Sequence, residues 1–387
     1  MGEVTVIGGG LAGLVAAITA AEHGAMVTVH EAHKSLGGRW RLSPPPYLAQ
    51  EGPHVVYRDG ALWGWLRRRG LLGVNRRVPP TALPGFWFRH GGTLRHTPPA
   101  GLVRVLLAVQ RRKVPCQVSF DEWASSRVGP EAAQLGASAS GVAVFHHDPG
   151  SLSAEFVAER LRRVFAVPPG ATYRRGGWGA MFDDLDRYAR ALGVKVELGS
   201  RLTQLGPGPT IVATALESAR VLLKDDALQW PSGRAVLLDL GLRRAPRDAF
   251  AVSDLDSCGW LERFTAPDPT LAPKGESLVQ LQVPIGPHES KAHGVARLEA
   301  LADSALPSWR ERVTYRLEAV ADARTGAVDH PGTSWRDRPA IDRGAGVFLA
   351  GDRVAAPGLL SEVSLTSAIR AAQLAVAAAR LPTTMGS

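Results

Sequence analysis

The chain has 387 residues, 45% of them hydrophobic, enough to bury more than one sizeable core; disorder is excluded and two domains are the natural expectation. Its formal net charge is +9, yet only six of the 45 basic side chains are lysine, and the arginines are scattered as pairs and one triplet, Arg67–Arg69. That scatter argues against a nucleic-acid-binding stripe. Cys116 and Cys258 lie far apart in no CxxC arrangement, so no disulfide framework is implied and a cytoplasmic location is expected. No apolar run reaches the length of a membrane span.

The first predicted element is a short buried strand, Val4 to Ile7, followed at once by Gly8, Gly10 and Gly13 and then by a helical pattern. The first glycine permits the tight turn, the second lets a pyrophosphate approach the backbone, and the third lets helix and strand pack closely. The pyrophosphate would meet the unpaired backbone N–H groups of the helix start, with Leu11 and Ala12 part of the same site. A second strand, Ala25 to Val29, leads to Glu31, whose carboxylate can accept hydrogen bonds from a ribose diol, with Ala32 beside it. Strand, glycine turn, helix, strand and acid in this order make a strong dinucleotide signal. Gly37, Gly38 and Arg39 follow. A nicotinamide-binding domain needs no second glycine pair there, whereas an arginine beside one can neutralise phosphate charge.

A GxGxxG turn, an acid and then GGR resembles the N-terminus of the FAD-dependent amine oxidase, protoporphyrinogen oxidase and phytoene desaturase superfamily. The resemblance implies an α/β protein with a discontinuous Rossmann-type FAD-binding domain and a substrate domain of mixed sheet and helices. It implies FAD, expected to be non-covalent because no cysteine lies near Asp352. By the same resemblance, the segment EGPHVVY after the GGRW turn would lie over the isoalloxazine ring. Gly52 and Pro53 would approach the flavin there, and His54 is the candidate proton acceptor, with a buried histidine bonded to backbone as the alternative.

From Arg77 to Val167 the chain shows proline and aromatic punctuation and then helical segments around Phe120–Arg127 and Leu152–Phe165, which reads as a helical insertion. Gly101–Lys113 is apolar and then basic; a core helix is preferred over a membrane-surface anchor. His146 and His147 precede Asp148 but carry no metal-ligand pattern, and no metal is expected. YRRGGWGA at Tyr173–Ala180 opens a helix running to Gly193, then a strand Val194–Leu198, a strand Thr210–Ala213 and a short helix from about Leu216. In the phytoene desaturase-like group this order forms the third part of the FAD domain, which would put the Leu202 backbone against adenine and Ala213 under the dinucleotide. AVLLDLGL and SLVQLQVPI alternate as strands of a mixed sheet. Phe86, Trp87, Phe88, Trp260 and Phe264 are candidates to line an apolar pocket.

Near the end, Val347–Ala350 reads as a strand, followed by Gly351 and Asp352 and by an alanine-rich helix from about Ser364 to Arg380. In the group it resembles, the strand-Gly-Asp element lies beside the ribityl and pyrophosphate, and the helix points its N-terminus at the isoalloxazine. Backbone donors at Val363 and Ser364 would then face the flavin's electron-rich edge. The chain thus divides into FAD-binding stretches at residues 1–76, 168–225 and 335–387 and substrate-domain stretches at 77–167 and 226–334.

The strand AVLLDLGL has no lysine of the kind many amine oxidases carry, and no aromatic follows Asp352, so the pattern stands closer to the bacterial phytoene desaturase-like branch. The expected function is an FAD-dependent oxidoreductase, a dehydrogenase, desaturase or oxidase, that transfers hydride from a substrate C–H bond to flavin N5. The alternatives are a redox-neutral flavin isomerase or mutase and a non-enzymatic FAD-stabilised binding protein. The expected partners are a small or apolar metabolite and an electron acceptor such as O2 or a quinone, with no nucleic acid and with membrane contact not favoured; substrate and oligomeric state stay open.

Overall fold

The computed structural model describes residues 2–52 and 54–380. The chain folds as a mixed α/β protein on two large sheets, in agreement with the expected fold class. The first is a five-stranded parallel sheet in the order Val347–Leu349, Thr210–Val212, β1 (Glu3–Ile7), β2 (Met26–Glu31) and Lys195–Leu198. Its strands come from three well-separated stretches of sequence. Strands buried on both faces need helices on both sides. On one side the helix α1 (Leu11–Glu22) is buried along all of Leu11–Ala20, because it lies between the sheet and two further helices, Ser361–Ala379 and Gly177–Ala191. Small side chains allow this close layering: Ala16, Ala17, Ala368, Ala371, Ala372 and Ala375 are fully buried. A larger side chain at Ala17 would overpack the layer at a cost of roughly 1–3 kcal/mol. On the other side Ile7, Val212 and Leu349 pack on Leu216 and Leu228.

The second sheet has seven strands in the order Val313–Ala327, Ser232–Arg243, Glu276–Pro284, Gly259–Arg263, Ala251–Asp254, Phe86–His90 and Thr93–Arg95. All its pairings are antiparallel except that of Ala251–Asp254 with Phe86–His90. Along its central strands the side chains alternate with period two. Val236, Leu238, Leu240, Val279, Leu281 and Val283 point to one face and are covered by the helix Lys291–Ala305. Leu237, Asp239, Gln280 and Gln282 therefore point to the other.

Two strands, Phe86–His90 and Thr93–Arg95, lie in the span that the sequence presents as punctuation and helix. Their aromatic, β-forming residues join an existing sheet edge, a long-range pairing that no local pattern announces. The rest of that insertion is helical, with Ala100–Arg111, Phe120–Val128, Pro130–Val144 and Ala154–Val164 packed around Phe120 and Leu152. The first of these helices buries Leu102, Val105 and Val109 and exposes Val103 and Leu107. The Arg162 guanidinium donates to Val109 O near its C-terminus at 2.6 Å. Among the described residues no helix is long and apolar enough to cross a membrane.

Candidate functional site

The three glycines at the end of β1 occupy three different environments. Gly8 has φ +106°, and a Cβ there would stand 2.7 Å from Ala213 O, so Ala213 lies directly against the turn. On Gly13 a Cβ would overlap the Gly8 carbonyl oxygen, which is what allows α1 to approach β1. Gly10, the N-cap of α1, has no atom within 4 Å of such a Cβ. Its open face is the approach to the α1 N-terminus at Leu11 and Ala12, where backbone N–H groups and the helix dipole favour an anion.

Glu31 stands at the end of β2 as expected, but its carboxylate is already engaged. Oε2 accepts from Gly9 N at 2.7 Å, and Oε1 accepts from His33 N at 2.8 Å and contacts His33 Nδ1 at 2.7 Å. Burial would raise its pKa, but the His33 and Gly9 hydrogen bonds prevail and hold it below the usual carboxylate value. Glu31 thus braces the glycine turn, with Ala32 half-buried beside it. Gly37 and Gly38, both at positive φ, fold the next loop back onto that turn: Gly37 N donates to Gly9 O at 3.0 Å, and a Cβ on Gly38 would lie 3.4 Å from Gly10 Cα.

Arg39 then reaches the other end of the chain. Its Nη1 donates to Asp352 Oδ2 at 2.5 Å and to Arg324 O at 2.7 Å. Burial alone would raise the Asp352 carboxyl, but Arg39 keeps it ionised and below its ordinary value. Gly351 is pinned to the last helix by Ser367 Oγ, which accepts from Gly351 N and donates to Gly351 O, both at 3.0 Å. That helix begins at Ser361, earlier than its sequence pattern implies, because Leu360 adopts a positive φ and breaks the preceding loop. Val363 and Ser364 are buried in its first turn, and Val363 N donates to Leu360 O at 3.2 Å, so that donor serves the turn itself. Glu362 also occupies this turn, accepting from Arg163 Nη1 at 3.1 Å and from Leu359 N at 3.3 Å. Leu202 packs on the far side of the sheet with the cluster of Ile7, Val212 and Leu349.

From Arg39 a polar chain continues to the second sheet. The Arg324 guanidinium pairs with Glu51 at 2.8 Å, and Glu51 precedes Gly52, which lines a small recess of about 10 Å³ together with Leu237, Asp239, Trp260, Phe264, Gln280 and Gln282. Of the five aromatic candidates only Trp260 and Phe264 reach this recess. Phe88 is buried in the helical cluster, Phe86 packs against it, and Trp87 stacks on His96.

The floor of the recess is a row in cross-strand register, Asp239 opposite Gln280 and Gln280 opposite Glu262. Asp239 Oδ1 accepts from Gln280 Nε2 at 2.9 Å, and the same amide donates to Gln50 O at 2.7 Å. Burial pushes the Asp239 carboxyl up to about 7, with the Gln280 hydrogen bond opposing the rise and the Glu51 charge adding to it. Glu262, raised by burial, accepts from Tyr173 Oη at 2.5 Å and from Trp260 Nε1 at 2.9 Å. Sequence reading passed over this row. Its one trace is an acid in the middle of an otherwise apolar strand and two glutamines at alternate positions on the next.

His54 sits behind the recess wall, stacked on Phe264 with ring centroids 3.9 Å apart. Its Nδ1 lies 3.3 Å from Gly52 O, and Nε2 is buried with no partner among the described residues. Burial depresses its pKa to about 4, with the Gly52 carbonyl and the Asp268 charge opposing that only in part. It is a neutral imidazole at physiological pH, in the backbone-bonded arrangement that was the alternative to catalysis. Pro53 lies outside the described residues. Among those residues no group of His, Cys, Asp and Glu is arranged to hold a metal ion. Cys116 and Cys258 are free thiols.

The fit of a flavin dinucleotide to this set rests on the open face of Gly10, the Arg39 guanidinium on the loop folded over that turn, and buried polar atoms in and around the recess with no partner among the described residues. These atoms are both side-chain atoms of the Gln50 amide, Gln280 Oε1 and His54 Nε2.

The fold combines a Rossmann-like parallel sheet, opened by this glycine turn, with a second, mixed sheet. Residues 6–68 match the NAD(P)-binding Rossmann-like domain. Among solved structures, an oxidoreductase from Methanosarcina mazei has a TM-score of 0.79 at 17% identity, covering 96% of this chain and 100% of that one. Cyclohexylamine oxidase from Brevibacterium oxydans has a TM-score of 0.72 at 16% identity, covering 97% and 99%. The chain shares the fold of these two proteins, an amine oxidase among them, in keeping with the fold its two ends implied. A stretch of 97 residues is 39% identical to the carotenoid phi-ring synthase of Streptomyces griseus, covering 24% of this chain and 18% of that protein.

Proposed function

We propose that the protein is an FAD-dependent oxidoreductase, a dehydrogenase, desaturase or oxidase, that removes hydride from a C–H bond of a small or apolar substrate. The observation that carries this reading is the Arg39–Asp352 pair, which joins the N-terminal glycine turn to the C-terminal Gly-Asp element and continues through Arg324 and Glu51 to the recess. Gly10, Leu11, Ala12 and Arg39 would hold the pyrophosphate, Glu31 the ribose, Leu202 and Ala213 the adenine side, and Gly351, Asp352 and the helix from Ser361 the isoalloxazine side. FAD, when bound, supplies a two-electron acceptor. The protein's own task is then to exclude water and orient the C–H bond, which the walls of Leu237, Trp260 and Phe264 suit. An apolar substrate is favoured by those walls and by the relative named for a carotenoid ring.

The test is the purified protein itself. It should be yellow, release its flavin on acid precipitation as non-covalent FAD, and bleach lastingly when mixed anaerobically with a C–H donor, with cyclohexylamine and phytoene as first probes. Turnover without net bleaching would mark an isomerase. A colourless protein that FAD cannot reconstitute would sink the proposal.

A further inference from the structure

Removing hydride from a neutral substrate leaves a second hydrogen that must depart as a proton, and the recess holds one group placed to take it. We propose that Asp239 is the catalytic base of this site, accepting the substrate proton as the hydride leaves for the flavin. The proposal rests on the FAD-dependent reading above. The bonds balance as follows: the C–H electron pair leaves with the hydride to FAD, the hydrogen on the adjacent atom passes as H+ to a carboxylate oxygen of Asp239, and the electron pair it leaves behind forms the new double bond.

Three observations converge on this residue. Asp239 lines the recess beside Gly52, at the end of the polar chain that starts at the dinucleotide turn. Asp239 is only 6% exposed, and among the described residues its one side-chain partner is Gln280, which binds Oδ1 and leaves Oδ2 free of any side-chain donor. A carboxyl kept solely for architecture would be paired or fully hydrogen-bonded. A carboxyl that titrates near neutrality can both receive and release a proton at working pH, which suits a general base.

The ionisable groups around it are few. The positions opposite Asp239 on its two neighbouring strands are Gln280 and Leu317. Glu262 lies one strand further along the row, Glu51 comes from the covering loop with Arg324 as its partner, and His54 stands behind Phe264. Glu262 is held by Tyr173 and Trp260, and His54 is neutral at working pH, so neither competes for the role.

The experiment compares the holoprotein with Asp239→Asn, and with Asp239→Ser should the first variant fail to fold. In the wild type, an infrared carbonyl band of a protonated carboxyl should titrate near neutral pH, and the flavin midpoint potential, set with dithionite, should change slope over the same range. Both signatures should vanish in the variant while FAD stays bound. With whichever of phytoene or cyclohexylamine bleaches the flavin, the variant should react roughly 100-fold more slowly and lose the rise in rate through neutral pH. Bound FAD with an unchanged band, potential and rate overturns the role of Asp239 and leaves the oxidoreductase reading standing. Absence of FAD binding overturns both.

Discussion

Arg39 Nη1 and Asp352 Oδ2 lie 2.5 Å apart across 313 residues of sequence. The pair closes the site: the guanidinium stands on the loop folded over the glycine turn, and the carboxylate stands on the element tied to the last helix through Ser367. Arg39→Ala should therefore weaken FAD binding by about 2 kcal/mol, roughly 30-fold, the scale of one charge-assisted hydrogen bond. Because the two groups share one interaction, Arg39→Ala and Asp352→Asn together should cost less than the sum of each alone. Equilibrium titration of the apoproteins with FAD measures both quantities, and strict additivity would show that the pair does not act as a unit.

Gly10 and Gly13 separate binding from folding. A methyl group on Gly10 enters open space from a backbone with φ −85°, which any residue adopts, whereas one on Gly13 overlaps a backbone carbonyl that cannot move away. Gly10→Ala should leave thermal unfolding of the apoprotein nearly unchanged and abolish FAD retention. Gly13→Ala should destabilise the apoprotein itself by about 2 kcal/mol or more. If Gly10→Ala retains FAD as tightly as the wild type, the cofactor does not lie over this turn.

The contrast between these glycines and the recess explains what could be read from the chain. The glycine turn is local: spacings of two and three residues carry its whole geometry, so Gly8, Gly10, Gly13 and Glu31 stand where the pattern puts them. Two refinements were not carried by the glycine spacing. The Glu31 carboxylate is taken by Gly9 and His33, and the first turn of the last helix carries Glu362 and a Val363 N–H already spent on Leu360. Asp239 was invisible for a different reason. An acid within one apolar strand and glutamines at period two on its neighbour carry no local sign of a shared floor, and only the loop through Gln50 and Gly52, folding over from the other end of the chain, buries that face. Phe86 and Phe88 failed the other way, since aromatic clustering says how much surface is buried but not in which of two cores.

His54 should not act as the proton acceptor. Its folded pKa of about 4 lies below the ordinary 6.5, so protonation favours the unfolded chain. The stability it contributes is therefore complete above pH 6.5 and is lost as the pH falls through 4, by an amount on the order of 3 kcal/mol. His54→Phe, which keeps the stack on Phe264, should unfold less readily in acid than the wild type and leave the pH profile of flavin reduction unaltered. Denaturant unfolding at pH 7 and pH 4 checks the first expectation. A reduction rate that loses a pH dependence in the variant would restore His54 to the chemistry.

Asp239 should show the opposite dependence. Its folded pKa of about 7 stands above the ordinary carboxylate value of 3.8, so the folded state holds a proton that the unfolded chain has already released. Its contribution to stability is complete below pH 3.8, declines as the pH rises, and is gone once the pH passes 7, a swing on the order of 4 kcal/mol. Asp239→Asn removes that swing by holding a neutral amide of the same shape against Gln280 at every pH. Relative to the wild type, the variant apoprotein should therefore gain stability between pH 4 and pH 8, read as the change in the difference of their urea midpoints. A difference that stays flat over this range would mean that the carboxyl is ionised in the folded protein, and a base ionised throughout would show no rise in rate through neutral pH. The stability series and the rate profile thus interrogate the same proton from two sides, one without any cofactor and one with it.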